Sequence, residues 1–415
     1  MKKFRFHLLS LVHLPQHKKF SSCAFSQKNR KLAKMLTGLG HDVFFYGSEG
    51  SDVEEYCNSE NLHFVQTHTL QDIANDYGDG WNLDDYPSCN YDWRNTDFRH
   101  DFDTERKSST LKFYAVAIEH INRIKKDDDF LLNSMGYYFK PVSDGVRLFL
   151  DCESGAGYRG SICAPNHFRC FESAFLRDFA YGSENPGEDI NGNWYDRVIP
   201  NYFAPEDFEY SVEKDDYYLY IGRMITRKGI EIAVKTCDVL GKKLIIAGQG
   251  AHVDENGHLV SDDCNIAPAT WEYVGFADAE KRKKLMSKAI AVFVPTIYQG
   301  PFEGVNVEAR LSGSPVLTTN FAVFSSIVEN GIDGYRCDML DDFVWAAKKC
   351  VTLDKSLIRR RAERYLMDNV RWDYQQWFED LHHLYLSTLD PAGKGWGYIN
   401  KEEPEFRKNL FYNRA

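Results

Sequence analysis

Residues 291–320, AVFVPTIYQGPFEGVNVEARLSGSPVLTTN, decide the fold. The first four are a continuous apolar run closed by Pro295, which is typical of a parallel strand buried on both faces. A loop with glycine and proline follows at 299–304, and residues 305–311 have the composition of a buried helix start. This order places free backbone N–H groups at the carboxyl edge of a parallel sheet. The stretch predicts a phosphate-binding site, and the alternative is a buried strand-to-helix turn that binds no ligand.

Length and composition favour a two-domain globular protein. A chain of 415 residues is too long for one core, and its 43% hydrophobic and 27% charged residues are ordinary values for a folded protein. The net charge of -11 argues against non-specific wrapping of nucleic acid. The charge is unevenly placed, however, because residues 1–41 contain lysines and arginines but no acidic residue. This basic segment predicts either an anionic partner or a solvated helix face whose charge is balanced across the fold, and the second is favoured.

The cysteines and the N-terminus indicate a cytoplasmic protein. Ten cysteines are scattered without C-x-x-C pairs, a pattern that favours reduced thiols and gives no metal-like cluster. The opening apolar run is short and is followed by Pro15, His17 and two lysines, so we predict a first strand and no signal peptide. No segment has the apolar length of a membrane helix.

The first half predicts a strand-helix-strand unit at 4–12, 24–39 and 42–47. Its first turn has no G-x-G-x-x-G, so a dinucleotide cofactor is not indicated. Residues 77–103 are acidic and aromatic and predict a surface insertion that serves as a lid, an acceptor-binding element or mere decoration. A helix at 109–125 and strands at 129–135 and 146–151 follow.

Glu153 opens a glycine-rich stretch, 152–160, which we interpret as an active-site loop. It could take or share a proton, although a helix-capping carboxylate is the favoured alternative. Residues 168–181 predict a helix in which Arg169 and Glu172 form a structural pair. A last strand at 195–203 leads into a polar linker at 204–216, which places a domain boundary near residue 210.

The second half alternates strands and helices more regularly. Strands are predicted at 217–221, 243–247, 271–275, 291–296 and 315–319, with helices at 230–240 and 278–288 between them. Such alternation predicts a doubly wound parallel sheet. We therefore predict an N-terminal domain at 1–210, a C-terminal domain at 211–371, and a crossover helix and tail at 372–415 that return to the N-terminal domain.

Arg223 and Lys228 flank a tight strand-to-helix turn, G-R-M-I-T-R-K-G, and together could neutralise a diphosphate. A pair of surface cations is the alternative for that motif alone. The motif is followed, in order, by A-G-Q-G, Y-V-G-F, P-F-x-G-V-x-V-E-A and S-G-S-P-V-L-T-T. With these motifs, residues 215–340 resemble the donor domain of glycosyltransferase family 4, retaining enzymes with the GT-B fold of two facing Rossmann-like domains and an interdomain cleft. The first half resembles the family only weakly. Its motifs S-S-C-A-F-S-Q-K-N-R-K-L-A-K-M-L and G-H-D-V-F-F-Y-G resemble the opening of a subgroup associated with phage and viral genomes.

The resemblance implies roles for individual residues in binding a nucleotide sugar. Arg223 and Lys228 would hold its pyrophosphate together with the backbone N–H groups of Gly304 and Val305, and Glu308 would accept hydrogen bonds from the ribose. The base would face the loops that carry four residues: Gly248, Gln249, Tyr273 and Val274. The donor is expected to be a UDP-sugar, with no metal and no tightly bound cofactor.

Gly300 departs from the family pattern, which has a glutamate at that position. Either Glu303 substitutes for it, or the donor is an unusual sugar such as a pentose, or catalysis is weak. The acceptor-side histidine of the family is not evident either. Glu153 lies where we expect it, and His13 and His167 are weaker candidates.

The expected activity is therefore retaining, metal-independent glycosyl transfer in the cytoplasm, or in the host cytoplasm if the chain is phage-encoded. The phage-like opening and the basic segment suggest hydroxymethylated pyrimidine, best 5-hydroxymethylcytosine, in phage DNA as acceptor. A surface polysaccharide, lipopolysaccharide or other glycan acceptor is the alternative. A third hypothesis is a nucleotide-sugar-binding protein that has lost turnover.

Overall fold

The computed structural model describes residues 2–20, 23–77, 107–134, 136–156, 168–184 and 195–389. It divides into two compact units. The first comprises residues 1–172, 180–199 and 370–415, and the second comprises 173–179 and 200–369. Residues 200–210 thus lie with the second unit, whereas the sequence analysis placed them with the first.

The first unit contains a sheet of seven parallel strands among its described residues, in the order β3-β2-β1-β4-β5-β6-β7. The strands are β1 (Arg5–Leu9), β2 (Asp42–Ser48), β3 (Leu62–His68), β4 (Phe130–Asn133), β5 (Leu150–Ala156), β6 (Phe168–Phe171) and β7 (Arg197–Val198). The helices of this part of the chain are α1 (Ala24–Gly38), α2 (Val53–Cys57), α3 (Leu70–Tyr77), α4 (Ser108–Ile124), α5 (Lys140–Val146) and α6 (Ala174–Glu184).

The second unit contains a parallel sheet with the order β13-β9-β8-β14-β15-β16 in its described residues. Its strands are β8 (Tyr218–Ile221), β9 (Leu244–Ala247), β13 (Trp271–Tyr273), β14 (Val292–Val294), β15 (Val316–Thr319) and β16 (Gly334–Cys337). A separate antiparallel sheet is formed by β10 (Ala251–Val253), β11 (Leu259–Ser261) and β12 (Asn265–Ile266). The helices are α7 (Ile230–Leu240), α8 (Ala279–Lys288), α9 (Gly304–Leu311), α10 (Phe324–Ile327), α11 (Leu340–Cys350) and α12 (Lys355–Ala362).

The apolar run at 291–294 contains strand β14, which lies at the centre of this sheet. It pairs with β8 on one side and β15 on the other, so it is a central strand. Phe293 packs into the apolar layer with α7 and α11, whereas Val292 and Val294 pack into the opposite layer with α8 and α9. Each fully buried side chain of this kind contributes about 1.5–3 kcal/mol relative to exposure. The period of two residues therefore fixes which helices cover each face.

The last helix, α13 (Met367–Leu389), covers the first sheet from residue 370 onward. Phe378 is buried, with its ring centroid 4.7 Å from that of Phe6 and 5.1 Å from that of Phe130. The Gln375 side chain accepts a 2.7 Å hydrogen bond from His41 Nε2. The indole of Trp377 donates to the carbonyl of Tyr195.

Three sequence expectations for the first unit were wrong. Residues 168–171 form a strand, and the helix begins only at Ala174. Arg169 and Glu172 do not pair: Arg169 Nε lies 3.1 Å from Asp196 Oδ2, and Glu172 accepts a hydrogen bond from Lys28. Glu153 lies within β5 and not in a loop, because that strand continues to Ala156 through a register shift.

The predicted insertion at 77–103 and the tail from Pro391 lie outside the described residues, except that Tyr77 ends α3. Most of the glycine-rich stretch after Glu153 and the candidate His167 lie outside them as well.

Candidate functional site

The turns at the carboxyl ends of four strands of the second sheet are bonded to one another. The N–H of Met224, after β8, donates to the carbonyl of Gln249, after β9, and the N–H of Gly248 donates to the carbonyl of Gly275, after β13. The N–H of Ile297, after β14, donates to the carbonyl of Arg227. These bonds bring the predicted donor loops to one edge of the sheet, as a parallel sheet requires.

Two glycines allow this close approach. A Cβ on Gly248, whose φ is +145°, would lie 1.8 Å from the carbonyl oxygen of Gly222. A Cβ on Gly229, whose φ is +73°, would lie 2.0 Å from the carbonyl oxygen of Pro295. Both positions therefore need glycine for backbone conformation as well as for space.

Lys228 and Glu303 form the centre of the site. The Lys228 ammonium donates to both carboxylate oxygens of Glu303, at 2.8 and 2.7 Å, and the two side chains are 19% and 5% exposed. Glu303 immediately precedes α9 and has a left-handed φ of 58°, an uncommon conformation for a residue other than glycine. The ion pair therefore places the Lys228 charge beside the first turn of α9.

The conformation of Glu303 accounts for the glycine at position 300. A Cβ on Gly300 would lie 2.4 Å from Oε1 of Glu303 and 3.0 Å from its Cγ. The Glu303 side chain thus occupies the space into which a side chain at position 300 would extend. A glutamate at 300 and this conformation of Glu303 exclude each other.

Tyr298 is a site residue that the sequence analysis missed. Burial raises the pKa of its hydroxyl, the Glu303 carboxylate raises it further by charge and hydrogen bonding, and Arg223 and Arg227 oppose the rise. The Lys228 ammonium lies 4.9 Å from the centroid of the Tyr298 ring, and the Arg227 guanidinium lies 5.0 Å from it. The two cations on one aromatic ring hold the turn after β8 against the loop after β14. The sequence did give one signal for this residue, because Tyr298 is an aromatic residue that follows β14 by four positions.

Arg223 is exposed, and in the described part of the chain no carboxylate lies within 4 Å of its guanidinium. Its own carbonyl accepts a hydrogen bond from the buried Tyr220 hydroxyl at 3.1 Å, which fixes the backbone of the turn. The side chain is therefore available to an anionic ligand.

Helix α9 begins at Gly304, so the N–H groups of Gly304 and Val305 belong to its first turn and have no acceptor within the helix. One turn further on, Glu308 Oε2 is buried without a hydrogen-bond partner among the described residues, and Arg282 Nε lies 3.8 Å away. A buried carboxylate oxygen in this state suits a hydroxyl donor.

The remaining predicted residues are distributed as follows. The Tyr273 hydroxyl lies 2.8 Å from the carbonyl oxygen of Gly248 and 3.1 Å from that of Ala251, and the two oxygens share its one proton as acceptors, so the side chain holds a turn. Glu153 is fully buried in the first unit and is not part of this cluster. His13 also belongs to the first unit, where burial, with smaller contributions from His68 and Lys107, lowers its pKa to about 4.

Most basic side chains of α1 are buried and not solvated as expected, whereas acids from elsewhere in the fold balance their charge. The side chains of Lys28, Arg30 and Lys31 on α1 are all less than 10% exposed. Arg30 forms hydrogen bonds of 2.6 and 2.9 Å with Asp52, and Lys28 is paired with Glu172. These charges are largely used inside the unit.

A protein-family model matches a large part of the second unit. Residues 205–365 match the family model of glycosyl transferases group 1. Solved structures with similar folds include sucrose-phosphate synthase from Thermosynechococcus elongatus, at 15% identity and a TM-score of 0.61 over 91% of this chain and 99% of that one. The predicted fold class, two Rossmann-like parallel α/β domains of the GT-B type, is confirmed.

Two curated relatives match only part of the chain. The chain is similar to an uncharacterised glycosyltransferase of Methanocaldococcus jannaschii, 28% identical over 37% of this chain and 39% of that protein. Glycogen synthase of Mycobacterium tuberculosis is 31% identical over 35% of this chain and 36% of that protein. The chain thus matches less than half the length of these relatives. Anabaena HepE, solved with UDP and glucose, has a TM-score of 0.58 at 11% identity over 90% of this chain and 98% of that one.

Two further observations concern the described residues alone. None of their helices combines the length and apolarity that a bilayer crossing needs. They also bring no three His, Cys, Asp or Glu side chains together in a way that could hold a metal ion.

Proposed function

We propose that this chain is a glycosyltransferase that moves a sugar from a nucleotide sugar to an acceptor hydroxyl. The observation that carries the proposal is the cluster of Lys228, Arg223 and the first turn of α9 at one edge of the second sheet. Two cations and a helix N-terminus are what a diphosphate requires for neutralisation. The match of residues 205–365 to glycosyl transferases group 1 supports the same assignment.

The donor is proposed to be a UDP-sugar, supported by the similar fold of HepE, which was solved with UDP and glucose. Arg223, Lys228 and the N–H groups of Gly304 and Val305 would bind the pyrophosphate. The buried Glu308 oxygen would accept from the ribose hydroxyls. The base would lie against the turns that carry Gln249 and Val274.

We propose that Glu303 provides the carboxylate that the family pattern places at position 300. Its oxygens lie where a side chain at Gly300 would extend, and its conformation is held by Lys228 and Tyr298. A carboxylate there would accept hydrogen bonds from hydroxyls of the transferred sugar. This favours substitution over a loss of turnover as the interpretation of Gly300.

The proposed reaction is retaining and needs no metal. The acceptor oxygen bonds to the anomeric carbon on the face from which the nucleotide departs, and the bond between that carbon and the phosphate oxygen breaks. The departing phosphate oxygen takes the acceptor proton, while Arg223 and Lys228 stabilise the negative charge that develops on it. Glu153 stays a candidate on the acceptor side.

For the acceptor we propose a carbohydrate, since glycogen synthase is among the relatives. The case for phage DNA depended on the basic segment, and the burial and pairing of Lys28 and Arg30 weaken it. We place the protein in the cytoplasm, in keeping with its free described cysteines.

A transfer assay tests the proposal. The protein is incubated with UDP- and GDP-sugars labelled in the sugar, together with glucan, lipopolysaccharide core or hydroxymethylcytosine DNA, and the products are analysed by mass spectrometry. We expect transfer from a UDP-sugar to a carbohydrate with retention at the anomeric carbon. Transfer to DNA would overturn the acceptor assignment, and neither transfer nor hydrolysis of any donor would overturn the enzyme assignment.

A further inference from the structure

A polar cavity lies beside the edge strand of the sheet of the second unit, and none of the proposed donor residues lines it. Its volume is about 270 Å³, and residues from α10, β16 and α12 line it. Strand β16 is the edge strand, separated from β14 by β15. The polar lining includes six residues: Ser325, Glu329, Asp333, Arg336, Arg361 and Arg364.

Both carboxylates of this cavity are already engaged. Asp333 lies 3.1 Å from Arg361 Nε and 3.4 Å from the buried Arg310 Nη1, and it also accepts the N–H of Glu329. Glu329 lies 2.6 Å from Arg361 Nη2. The two acids are therefore paired with two arginines, Arg361 and Arg310, and Asp333 is shared between them.

Arg336 and Arg364 have no such partner. In the described ranges, no carboxylate lies within 4 Å of either guanidinium. Arg336 Nη1 donates to the carbonyl of Ser325 at 3.2 Å, and Arg364 Nη2 donates to the hydroxyl of Tyr365. The cavity thus carries an excess of positive charge on two arginines that have only neutral acceptors.

Two buried guanidinium donors near the cavity also lack acceptors. Arg336 Nε and Arg310 Nη2 are both inaccessible to solvent and have no hydrogen-bond partner within the described structure. The Arg310 side chain is fixed by the carbonyls of Asn306 and Ile327, and Ile327 lines the cavity. Buried unpaired donors are uncommon in folded proteins. Arg336 itself lines the cavity, so its guanidinium adds positive charge to the lining that no described carboxylate offsets.

We infer that this cavity binds a small phosphate-bearing anion, either inorganic phosphate or a phosphate monoester. Planar guanidinium groups match the oxygens of phosphate by paired hydrogen bonds. The volume is close to the lower limit for small-molecule sites and leaves room for a short carbon skeleton beside the phosphate. This inference does not depend on the proposed transferase activity.

Calorimetric titration of the full chain tests the inference. The starting protein carries Arg223→Ala and Lys228→Ala, so that phosphate cannot bind at the proposed donor site. Inorganic phosphate and ribose 5-phosphate are titrated separately, and the tighter of the two identifies the class of ligand. Arg336→Gln and Arg364→Gln are then added one at a time.

Arg360→Gln is the matched control, because Arg360 lies on α12 next to the cavity residue Arg361 but does not line the cavity. It is exposed and bonds only to the hydroxyl of Ser356 among the described residues. We expect saturable binding that each cavity substitution weakens by about tenfold or more and that Arg360→Gln leaves unchanged. Circular dichroism of each variant confirms that it is folded. Absence of saturable binding in the millimolar range, or equal weakening by Arg360→Gln, would overturn the inference.

Discussion

Lys228 and Glu303 form an ion pair in the proposed donor site. A bound pyrophosphate would also need the charge of Lys228. A diphosphate brings more negative charge than one carboxylate, so it can share Lys228 or draw it away from Glu303. The Glu303 carboxylate also interacts with Tyr298 by charge and hydrogen bonding, which adds to the effect of burial in raising the pKa of the Tyr298 hydroxyl. At the scale of single residues, the proposed site therefore requires the Glu303 carboxylate to stay in place when Lys228 also binds the pyrophosphate.

The exchange of residues 300 and 303 tests this arrangement. Gly300→Glu alone should lower transfer by about a hundredfold, because its side chain meets the Glu303 carboxylate at 2.4 Å. Glu303→Gly alone should lower transfer by a similar factor. The double variant Gly300→Glu/Glu303→Gly should recover at least part of the activity, as measured by initial rates at saturating donor. Equal losses in all three variants would show that Glu303 does not replace a carboxylate at position 300.

Part of the site could be predicted from sequence because its residues lie close together in the chain. Arg223 and Lys228 flank one turn, and Gly304 begins the helix that follows β14. The contact of Glu303 with Gly300 depends on a left-handed φ at Glu303, which no local pattern indicates. The buried pairs of Lys28 and Arg169 were missed for a related reason, since their acidic partners are distant in sequence.

Among the elements, five of the six strands of the second sheet were predicted within one or two residues, because most of them are apolar runs buried on both faces. Strand β16 was missed because its sequence, GYRC, is short and contains a glycine and an arginine at the edge of the sheet. Strand β3 was missed since its sequence, LHFVQTH, mixes polar and apolar residues at the edge of the first sheet. Strand β6 was mistaken for a helix because its buried Arg169 resembles a charged residue on a helix face.

Helix α13 should contribute strongly to the stability of the first unit. Phe378 is fully buried between Phe6 and Phe130, and its replacement by alanine leaves a cavity the size of an aromatic ring. We expect Phe378→Ala to lower the free energy of unfolding by about 3–5 kcal/mol in urea titrations. Leu389→Ala, at a 62% exposed position of the same helix, is the control and should change it by less than about 0.5 kcal/mol. A small effect of Phe378→Ala would mean that α13 is not packed as described.

The contact between α13 and the loop before β2 should be sensitive to acid. His41 Nδ1 accepts the N–H of Phe4 and its Nε2 donates to Gln375, so the ring is held neutral. Burial lowers its pKa to about 4 from 6.5. Between these values the unfolded chain binds the proton and the folded chain does not, so stability is full above pH 6.5 and falls as the pH drops toward 4.

His41→Gln offers a neutral donor and acceptor of similar reach, and it is the matched variant for this prediction. The decline in unfolding free energy from pH 6.5 to 4.5 should be smaller in this variant than in the parent, by up to about 1.4 kcal/mol per pH unit. Urea titrations at several pH values measure it. Identical slopes for the two proteins would show that His41 is not held neutral.

At the scale of the whole molecule, each unit has its own parallel sheet and its own apolar layers. The proposed donor site requires only residues of the second unit, the part of the chain that matches glycosyl transferases group 1. Donor binding should therefore survive substitutions in the first unit, whereas transfer should not. Glu153→Gln is expected to leave the dissociation constant of UDP within about twofold and to lower the transfer rate. A large loss of UDP affinity would contradict this division of labour.

The most direct test of the central claim is calorimetric titration of UDP into the full chain and three variants. Arg223→Ala and Lys228→Ala should each weaken binding by about tenfold or more, since each removes a charge-assisted hydrogen bond to the diphosphate. Lys235→Ala, which removes an exposed lysine of α7 whose one carboxylate partner among the described residues is Glu231, should leave the affinity unchanged. UDP binding that is indifferent to Arg223 and Lys228 would contradict the account.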